Sequence, residues 1–508
     1  MCVADLAHIA EQIDNADIYA LAKRTPVEKC HKLSEEHGTS IWLKREDLQD
    51  VFSFKIRGAA NRINKMSVDE RSRGVVAASA GNHAQGIAAA AAHYDTKAVI
   101  FMPVTTPAIK TKAVEARGAE IRLVGDTYDE ACDAAIDFAT ETGAVFVHPF
   151  DEPDVIAGQG TIGKEILEDM PSKPDTVYIG VGGGGLISGV SAYIQTHNPK
   201  TKIIAVEPVG ASTLKTSLEA GAPTALNSVD GFADGVAVKM IGKSTLDIIK
   251  LVNPEIVLVS NDEICAAVKD IFEQTRTVVE PAGALALAGL IKHAQTGQAS
   301  SGDNVAIVSG ANVNFDRIGH MVERAELGAG GEILFSATLP EKPGSFLRFC
   351  QSLGNSAVSE FNYRYADSDE ANVLVGIKIK NLEEGQKVMA SIEKEGMHVT
   401  DLSHNRLAKE HLRHMVGGRA SANIPERIYS FEFPERPGAL RDFLTTLDGR
   451  WNISLFHYRN HGSSAGQVLC GFQIPNDDEA DLEAGLEKTG FAMKNETNNP
   501  AYQYFLKA

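Results

Sequence analysis

Cysteine is sparse and scattered in this chain. The six thiols, Cys2, Cys30, Cys132, Cys265, Cys350 and Cys470, form no C-x-x-C pair and no cluster with histidine. That spacing excludes a disulfide framework and a cysteine zinc site, and reduced, buried thiols are expected. Long apolar runs are lacking too: none approaches the ~20 residues of a membrane span. Basic residues are in deficit. With 49 Lys and Arg against 67 Asp and Glu, the net charge is −18, which argues against a nucleic-acid or anionic-membrane partner. The opening stretch MCVADLAHIAEQIDNADIYA has no basic segment leading into an apolar core and is too acidic for a transit peptide, so a cytoplasmic location is expected. At 508 residues the chain is too long for one core, and two to four domains are expected.

What is present is a rhythm. From about residue 70 to 310, short apolar runs alternate with Ala-rich helical stretches: GVVAAS then NHAQGIAAAAAHY, KAVIFM then AIKTKAVEARG, TVYIGV then LISGVSAYIQ, with KIIAVE and NVAIVS following. This pattern predicts βαβ units and parallel sheet. Gly328, Gly330 and Gly331 read as a linker. Beyond it lies an internal repeat. EILFSATLPEKPGSFLRFCQSLG (332–354) matches RIYSFEFPERPGALRDFLTTLDG (427–449), and FNYRYADSDEANVLVGIKI matches FHYRNHGSSAGQVLCGFQI. Each copy reads strand, Pro-Gly turn, amphipathic helix, strand, turn, strand, so the tail is two copies of a small α+β unit.

Four stretches carry chemistry. In VFSFKIRGA (51–59), Lys55 is flanked by Phe52, Phe54 and Ile56. Burial would lower its pKa and favour the nucleophilic amine, able to form a Schiff base; a lysine on the wet side of an edge strand is the plainer alternative. In SAGNHAQG (79–86), small and polar residues follow a strand and open a helix, which makes an anion cradle of the first-turn amides. In VYIGVGGGGLISG (177–189), the four glycines Gly182, Gly183, Gly184 and Gly185 let backbone amides crowd one phosphate at a helix start. Gly180, Gly182 and Gly185 also fit G-x-G-x-x-G, with Glu207 at the distance of a ribose-binding acid, so a dinucleotide stays open on this motif alone. In VSGANVNF (308–315), Ser309 ends a predicted strand at the sheet edge where ligands bind, or else caps a helix.

In that order, SFK, SAGNHAQG, GGGGL and SGAN resemble the fold-type II pyridoxal-phosphate enzymes. With TPVEKC, WLKREDLQ and both tail repeats, the resemblance covers nearly the whole chain and is close to the biosynthetic threonine deaminases (threonine ammonia-lyases). It implies a tryptophan synthase β-like α/β catalytic domain over 1–327 and two ferredoxin-like, ACT-like regulatory domains over 332–422 and 426–508. It implies pyridoxal 5'-phosphate as cofactor, L-threonine and L-serine as substrates, isoleucine and valine as effectors, and a homotetramer. Lys55 would carry the cofactor and Phe54 would lie against its ring. Asn82 would hold the phenolic oxygen, and Gly182, Gly183, Gly184, Gly185 and Leu186 the phosphate. Ser309 would meet the pyridine nitrogen, and Ser79, Ala80, Gly81, Asn82 and His83 the substrate carboxylate. Tyr363, Arg364, Tyr458 and Arg459 would line the effector pockets. Two departures from relatives stand out. Ala80 replaces a serine of serine racemase, so one racemising hydroxyl is missing. Thr213 stands where the relatives' divalent-metal site has an aspartate six residues after the glutamate, so no metal is expected and Glu207 reads as a strand end. A nicotinamide oxidoreductase using the glycine run, or a catalytically dead amino-acid sensor, would leave Lys55 and SGAN without a role.

Overall fold

The computed structural model describes residues 5–328 and, within 331–506, all but 341, 343, 355, 365–369, 406–407, 409–424, 435–438, 449, 460–464, 475–477 and 501. The chain forms two compact units, Met1–Gly328 and Ala329–Ala508.

The described residues of the first unit hold ten strands: β1 (Val27–Lys29), β2 (Ser40–Arg45), β3 (Val75–Ala78), β4 (Ala98–Met102), β5 (Glu120–Leu123), β6 (Val145–Phe146), β7 (Thr176–Gly180), β8 (Lys202–Pro208), β9 (Glu255–Val259) and β10 (Asp303–Val308). They make two sheets, not one. Strands β5-β4-β3-β6 form a parallel sheet from contiguous sequence, whereas β1-β2-β10-β7-β8-β9 recruits strands from both ends of the unit. All its pairings are parallel except the β1 edge. In the larger sheet, alternate residues bury on opposite faces. Tyr178, Val206, Ala306 and Val308 pack one way; Val177, Ile179, Ala205, Val305 and Ile307 pack the other. Helices therefore cover both sides, as a continuous apolar parallel strand requires. The expected βαβ rhythm is present, and the helices Asn82–His93 and Gly185–His197 start where the motifs placed them.

The second unit carries the two repeats, each strand–helix–strand–strand–helix–strand. The first is β11 (Glu332–Pro340), helix Ser345–Ser352, β12 (Ala357–Arg364), β13 (Glu370–Lys378), helix Leu382–Lys394 and β14 (His398–Asp401). The second is β15 (Glu426–Pro434), helix Ala439–Leu447, β16 (Asn452–Arg459), β17 (Ala465–Gln473), helix Glu479–Glu487 and β18 (Ala492–Asn495). The copies join through antiparallel β12 and β16 into one eight-stranded sheet, β14-β11-β13-β12-β16-β17-β15-β18. Each copy has a register shift at the matching place, Val358/Glu360 and Ile453/Leu455. The core is aromatic, with Phe335, Phe349, Phe361, Phe431, Phe443, Phe456 and Phe472 buried in one cluster. No helix among the described residues is long and apolar enough to cross a membrane.

Candidate active site

Lys55 is the first residue of the helix Lys55–Asn64, not part of an edge strand. The chain reaches it through Phe52, whose φ of +57° is a costly conformation for a bulky residue. That turn is held by a short zipper to the end of β10. The Phe54 amide donates to the Ser309 carbonyl (3.1 Å), the Ala311 amide donates to the Phe52 carbonyl (2.8 Å), and Ser53 bridges Gly310. Lys55 and Ser309 are thereby fixed on one rim. The Lys55 ammonium donates to the Pro149 carbonyl at 2.9 Å and lies 5.3 Å from the Phe54 ring centroid. Burial lowers its pKa to about 8, with Glu280 opposing weakly, so a neutral amine is accessible near physiological pH.

The glycine loop supplies donors. Among the described residues, no acceptor takes the amides of Gly182, Gly183, Gly184, Gly185 or Leu186. The carbonyls in that stretch are tied back: Gly183 accepts from the Thr245 hydroxyl (2.8 Å) and from the Gly242 amide (3.2 Å). A Cβ on Gly183 would stand 2.2 Å from the Phe150 ring, and Gly184 has φ +92° at the start of the helix Gly185–His197. Only glycine meets both demands. The result is a run of unpaired N–H groups at a positive helix end, which fits a phosphate monoester. Gly184→Ala is expected to weaken cofactor affinity about tenfold or more, through backbone strain and the contact with Thr245; titration of the purified protein with pyridoxal phosphate checks it.

A second cradle opens the helix Asn82–His93. Gly81 is its N-cap, and its amide donates to the Ser79 hydroxyl at 3.2 Å. The amides of Ala80, Asn82 and His83 have no acceptor among the described residues. The His83 ring does not face this cradle. It is buried, and its Nε2 meets the Val147 carbonyl at 2.9 Å. Burial, then the Lys55 charge, push its pKa down to about 3, so it stays neutral and offers the loop only its backbone N–H. The Ser309 hydroxyl donates to the Ala282 carbonyl at 3.2 Å and caps no helix; the next described one begins at Asp316.

Glu207 is more than a strand end. Its buried carboxylate accepts from the Leu214 amide (2.7 Å), the Lys215 amide (3.0 Å) and the Thr213 hydroxyl (3.4 Å), closing the start of the helix Thr213–Ala220. Burial pushes its pKa up to about 7. These bonds engage both carboxylate oxygens in capping, which leaves Glu207 unsuited to bind a ribose. Among the described residues, no group of three or more His, Cys, Asp or Glu is placed to hold a metal.

Two residues of the site escaped the sequence reading. Asn312, within SGAN, donates to Asn82 Oδ1 at 2.6 Å. Glu280 accepts from Asn82 Nδ2 at 2.7 Å. In sequence, Glu280 precedes a proline at a helix start and looks like an ordinary capping residue; it makes no side-chain cap.

In the second unit, Tyr363 on β12 is buried opposite Phe456, and Tyr458 on β16 is buried opposite Phe361. The side chains of Arg364 and Arg459, and Pro343, Pro437 and Gly438, lie outside the described residues. Tyr363 lines a pocket with Gly344, Ser345, Phe346 and Leu347 from the first repeat and Leu444, Leu447 and Trp451 from the second.

Comparison with known proteins agrees with this geometry. The pyridoxal-phosphate dependent enzyme family model matches residues 18–310. The model for the C-terminal regulatory domain of threonine dehydratase matches twice, at 323–412 and 417–506. The biosynthetic L-threonine dehydratase of Haemophilus influenzae is 47% identical over 490 residues, covering 96% of this chain and 95% of that protein. The processed form of threonine deaminase isoform 2 from Solanum lycopersicum superposes with a TM-score of 0.62 at 43% identity, covering 63% of this chain and 93% of that one. The structure of maize serine racemase gives a TM-score of 0.59 at 33% identity, covering 63% of this chain and 97% of that one. The donor cradles and the desolvated lysine thus sit in a chain that belongs to the pyridoxal-phosphate-dependent threonine dehydratase family, with two C-terminal regulatory domains of that family.

Proposed function

We propose that the chain deaminates L-threonine to 2-oxobutanoate and ammonia by pyridoxal-phosphate-dependent β-elimination, opening isoleucine synthesis. The observation that carries this reading is the placement of the desolvated Lys55 between the two sets of amides: its ammonium meets Pro149, whose neighbour Phe150 packs on Gly183 and Gly185, and its own carbonyl lies against Gly86 of the helix that Asn82 opens. Pyridoxal phosphate held there would supply an electron sink for the bonds at the substrate Cα. Lys55 carries the cofactor and then, as the free amine, removes the α-proton. Phe54, beside the Lys55 ammonium, would pack on the ring face. Asn82 donates to the phenolic oxygen, and Ser309 meets the ring nitrogen as a neutral hydroxyl, which moderates the electron sink and suits elimination. The amides of Gly182–Leu186 hold the phosphate. Those of the Ser79–His83 loop hold the substrate carboxylate, so that loss of the β-hydroxyl is aligned. L-Serine lacks only a methyl, a difference of about 10–200-fold in a pocket, so pyruvate formation from serine follows. Assay of ammonia and 2-oxo acid from hydroxy and thiol amino acids tests the reaction.

The catalytic domain is assigned to 1–327 and the regulatory domains to 332–422 and 426–508. Isoleucine inhibits and valine opposes it. Tyr363, Arg364, Tyr458 and Arg459 are assigned to effector binding. Support comes from the pocket at Tyr363: its apolar wall of Leu444, Leu447 and Trp451 suits a branched side chain. The Phe346 and Leu347 amides, without acceptors among the described residues, suit a carboxylate. A homotetramer in the cytoplasm completes the reading. A coupling of about 1–3 kcal/mol between effector and substrate is reciprocal and makes threonine saturation sigmoidal in an oligomer. A chain ending at Gly328 is expected to remain active, with hyperbolic kinetics and no response to isoleucine. Inhibition at the full-length concentration would move the effector site out of the tail.

A further inference from the structure

Glu280 occupies the N-cap of the helix Pro281–Gln295, yet its carboxylate is turned away from that helix and onto Asn82. The surroundings are tight: a side chain on Gly310 would meet Glu280 Oε1 at 2.5 Å, and one on Gly235 at 3.5 Å. On the other flank of Asn82, Asn312 Nδ2 donates both to the Val51 carbonyl (2.8 Å) and to Asn82 Oδ1 (2.6 Å). A backbone carbonyl can only accept, so Val51 fixes which end of the Asn312 amide faces Asn82. Asn82 must then present Oδ1 to Asn312 and Nδ2 to the carboxylate. One Nδ2 hydrogen is used by Glu280, and the second is left to donate to a ligand.

We propose that Glu280 and Asn312 are positioning residues that lock the Asn82 side chain as a hydrogen-bond donor toward the cofactor. The proposal rests on the reading of Asn82 given above. A reversed amide would set its carbonyl oxygen against the carboxylate and its N–H against the Asn312 N–H, losing both bonds. Burial and then Asp234 raise the Glu280 carboxyl to about 7, while Asn82, Lys110 and Lys55 oppose the rise. Asp234 is itself paired with Lys110 (2.8 Å) and Arg317 (3.6 Å). At pH 8 the carboxyl is therefore ionised and at its best as an acceptor.

The test uses the full chain at pH 8 with four variants: Asn82→Ala, Glu280→Ala, Glu280→Gln and Asn312→Asp. The readouts are the absorption maximum of bound pyridoxal phosphate, its dissociation constant, and kcat against KM. Asn312→Asp keeps the shape but cannot donate to Val51 and Asn82. It and Glu280→Ala are expected to reproduce the spectral shift of Asn82→Ala and to weaken cofactor binding about tenfold. Glu280→Gln, which keeps an acceptor, is expected to restore the parent band. If Asn82→Ala changes band and affinity while Glu280→Ala and Asn312→Asp leave both at parent values, the positioning proposal is overturned and the Asn82 reading stands. If Asn82→Ala itself changes neither, the Asn82 reading fails and takes the proposal with it. Should Glu280→Ala not fold, Asn312→Asp and Glu280→Gln decide alone.

Discussion

Lys55→Ala is expected to abolish ammonia release from L-threonine, by about 10⁴-fold or more, at the upper end of what a positioned base contributes. It should also remove the visible absorbance of bound cofactor. Both effects follow from one atom. The Lys55 Nζ has one hydrogen-bond partner among the described residues, the Pro149 carbonyl. The amine pKa of about 8 adds a pH signature. Its neutral fraction rises from about 1% at pH 6 to about half at pH 8, so the rate at which cofactor-free protein takes up pyridoxal phosphate should rise about 50-fold between them. An active variant that is still yellow would take Lys55 out of the chemistry.

Glu165→Ala is expected to destabilise the first unit by about 3–5 kcal/mol, the cost of stranding a buried charge. Arg57, on the Lys55 helix, gathers three other ionic side chains, Lys44, Glu46 and Glu165, and none of the four is exposed to solvent. Arg57 donates to Glu165 (2.6 Å) and Glu46 (2.7 Å), and Lys44 donates to Glu165 at 2.5 Å. Thr161 and the Lys23 carbonyl satisfy the remaining Arg57 donors. Burial pushes the Glu165 carboxyl up, but the hydrogen bonds from Arg57 and Lys44 overcome it and leave the pKa below the ordinary value. Two cations and two anions cancel, and removing one carboxylate leaves excess positive charge without water. Arg57 is two residues along the helix from Lys55, so loss of the pair should also loosen Lys55. Urea denaturation followed by circular dichroism measures the first effect. The control is Glu219→Ala in the same unit, at an exposed helix pair with Lys215, where about 0–1 kcal/mol is expected. Equal midpoints for both variants would mean the buried quartet contributes no more than a surface pair.

The helix starts at the two small-residue motifs were legible because each signal is local. Short stretches such as SAGNHAQG and GGGGL state both a backbone need and a chemical purpose, and the helices they open begin at Asn82 and Gly185. What could not be read is what distant segments do for them. Glu280 and Asn312 each meet Asn82 across about 200 residues of sequence, and nothing in EPAGA says that its glutamate will ignore its own helix. The pairing of β2 with β10 joins Ser40 to Asp303, so periodicity alone could not divide the strands into two sheets. Lys44, Arg57 and Glu165 look like surface charges in sequence because composition does not reveal mutual neutralisation. The tail was legible as a duplication, but not the seam between its copies.

That seam has a consequence for ancestry. A duplicated domain whose copies merely sit side by side can lose one and keep a working binding site. Here the β12–β16 joint makes the Tyr363 pocket a shared possession, walled by Gly344–Leu347 from one copy and by Leu444, Leu447 and Trp451 from the other. A descendant that shed the second copy would lose one wall of the pocket along with half of the sheet. Once fused in this way, the pair is inherited as a single unit, and shortening the tail by one repeat removes the pocket rather than halving it.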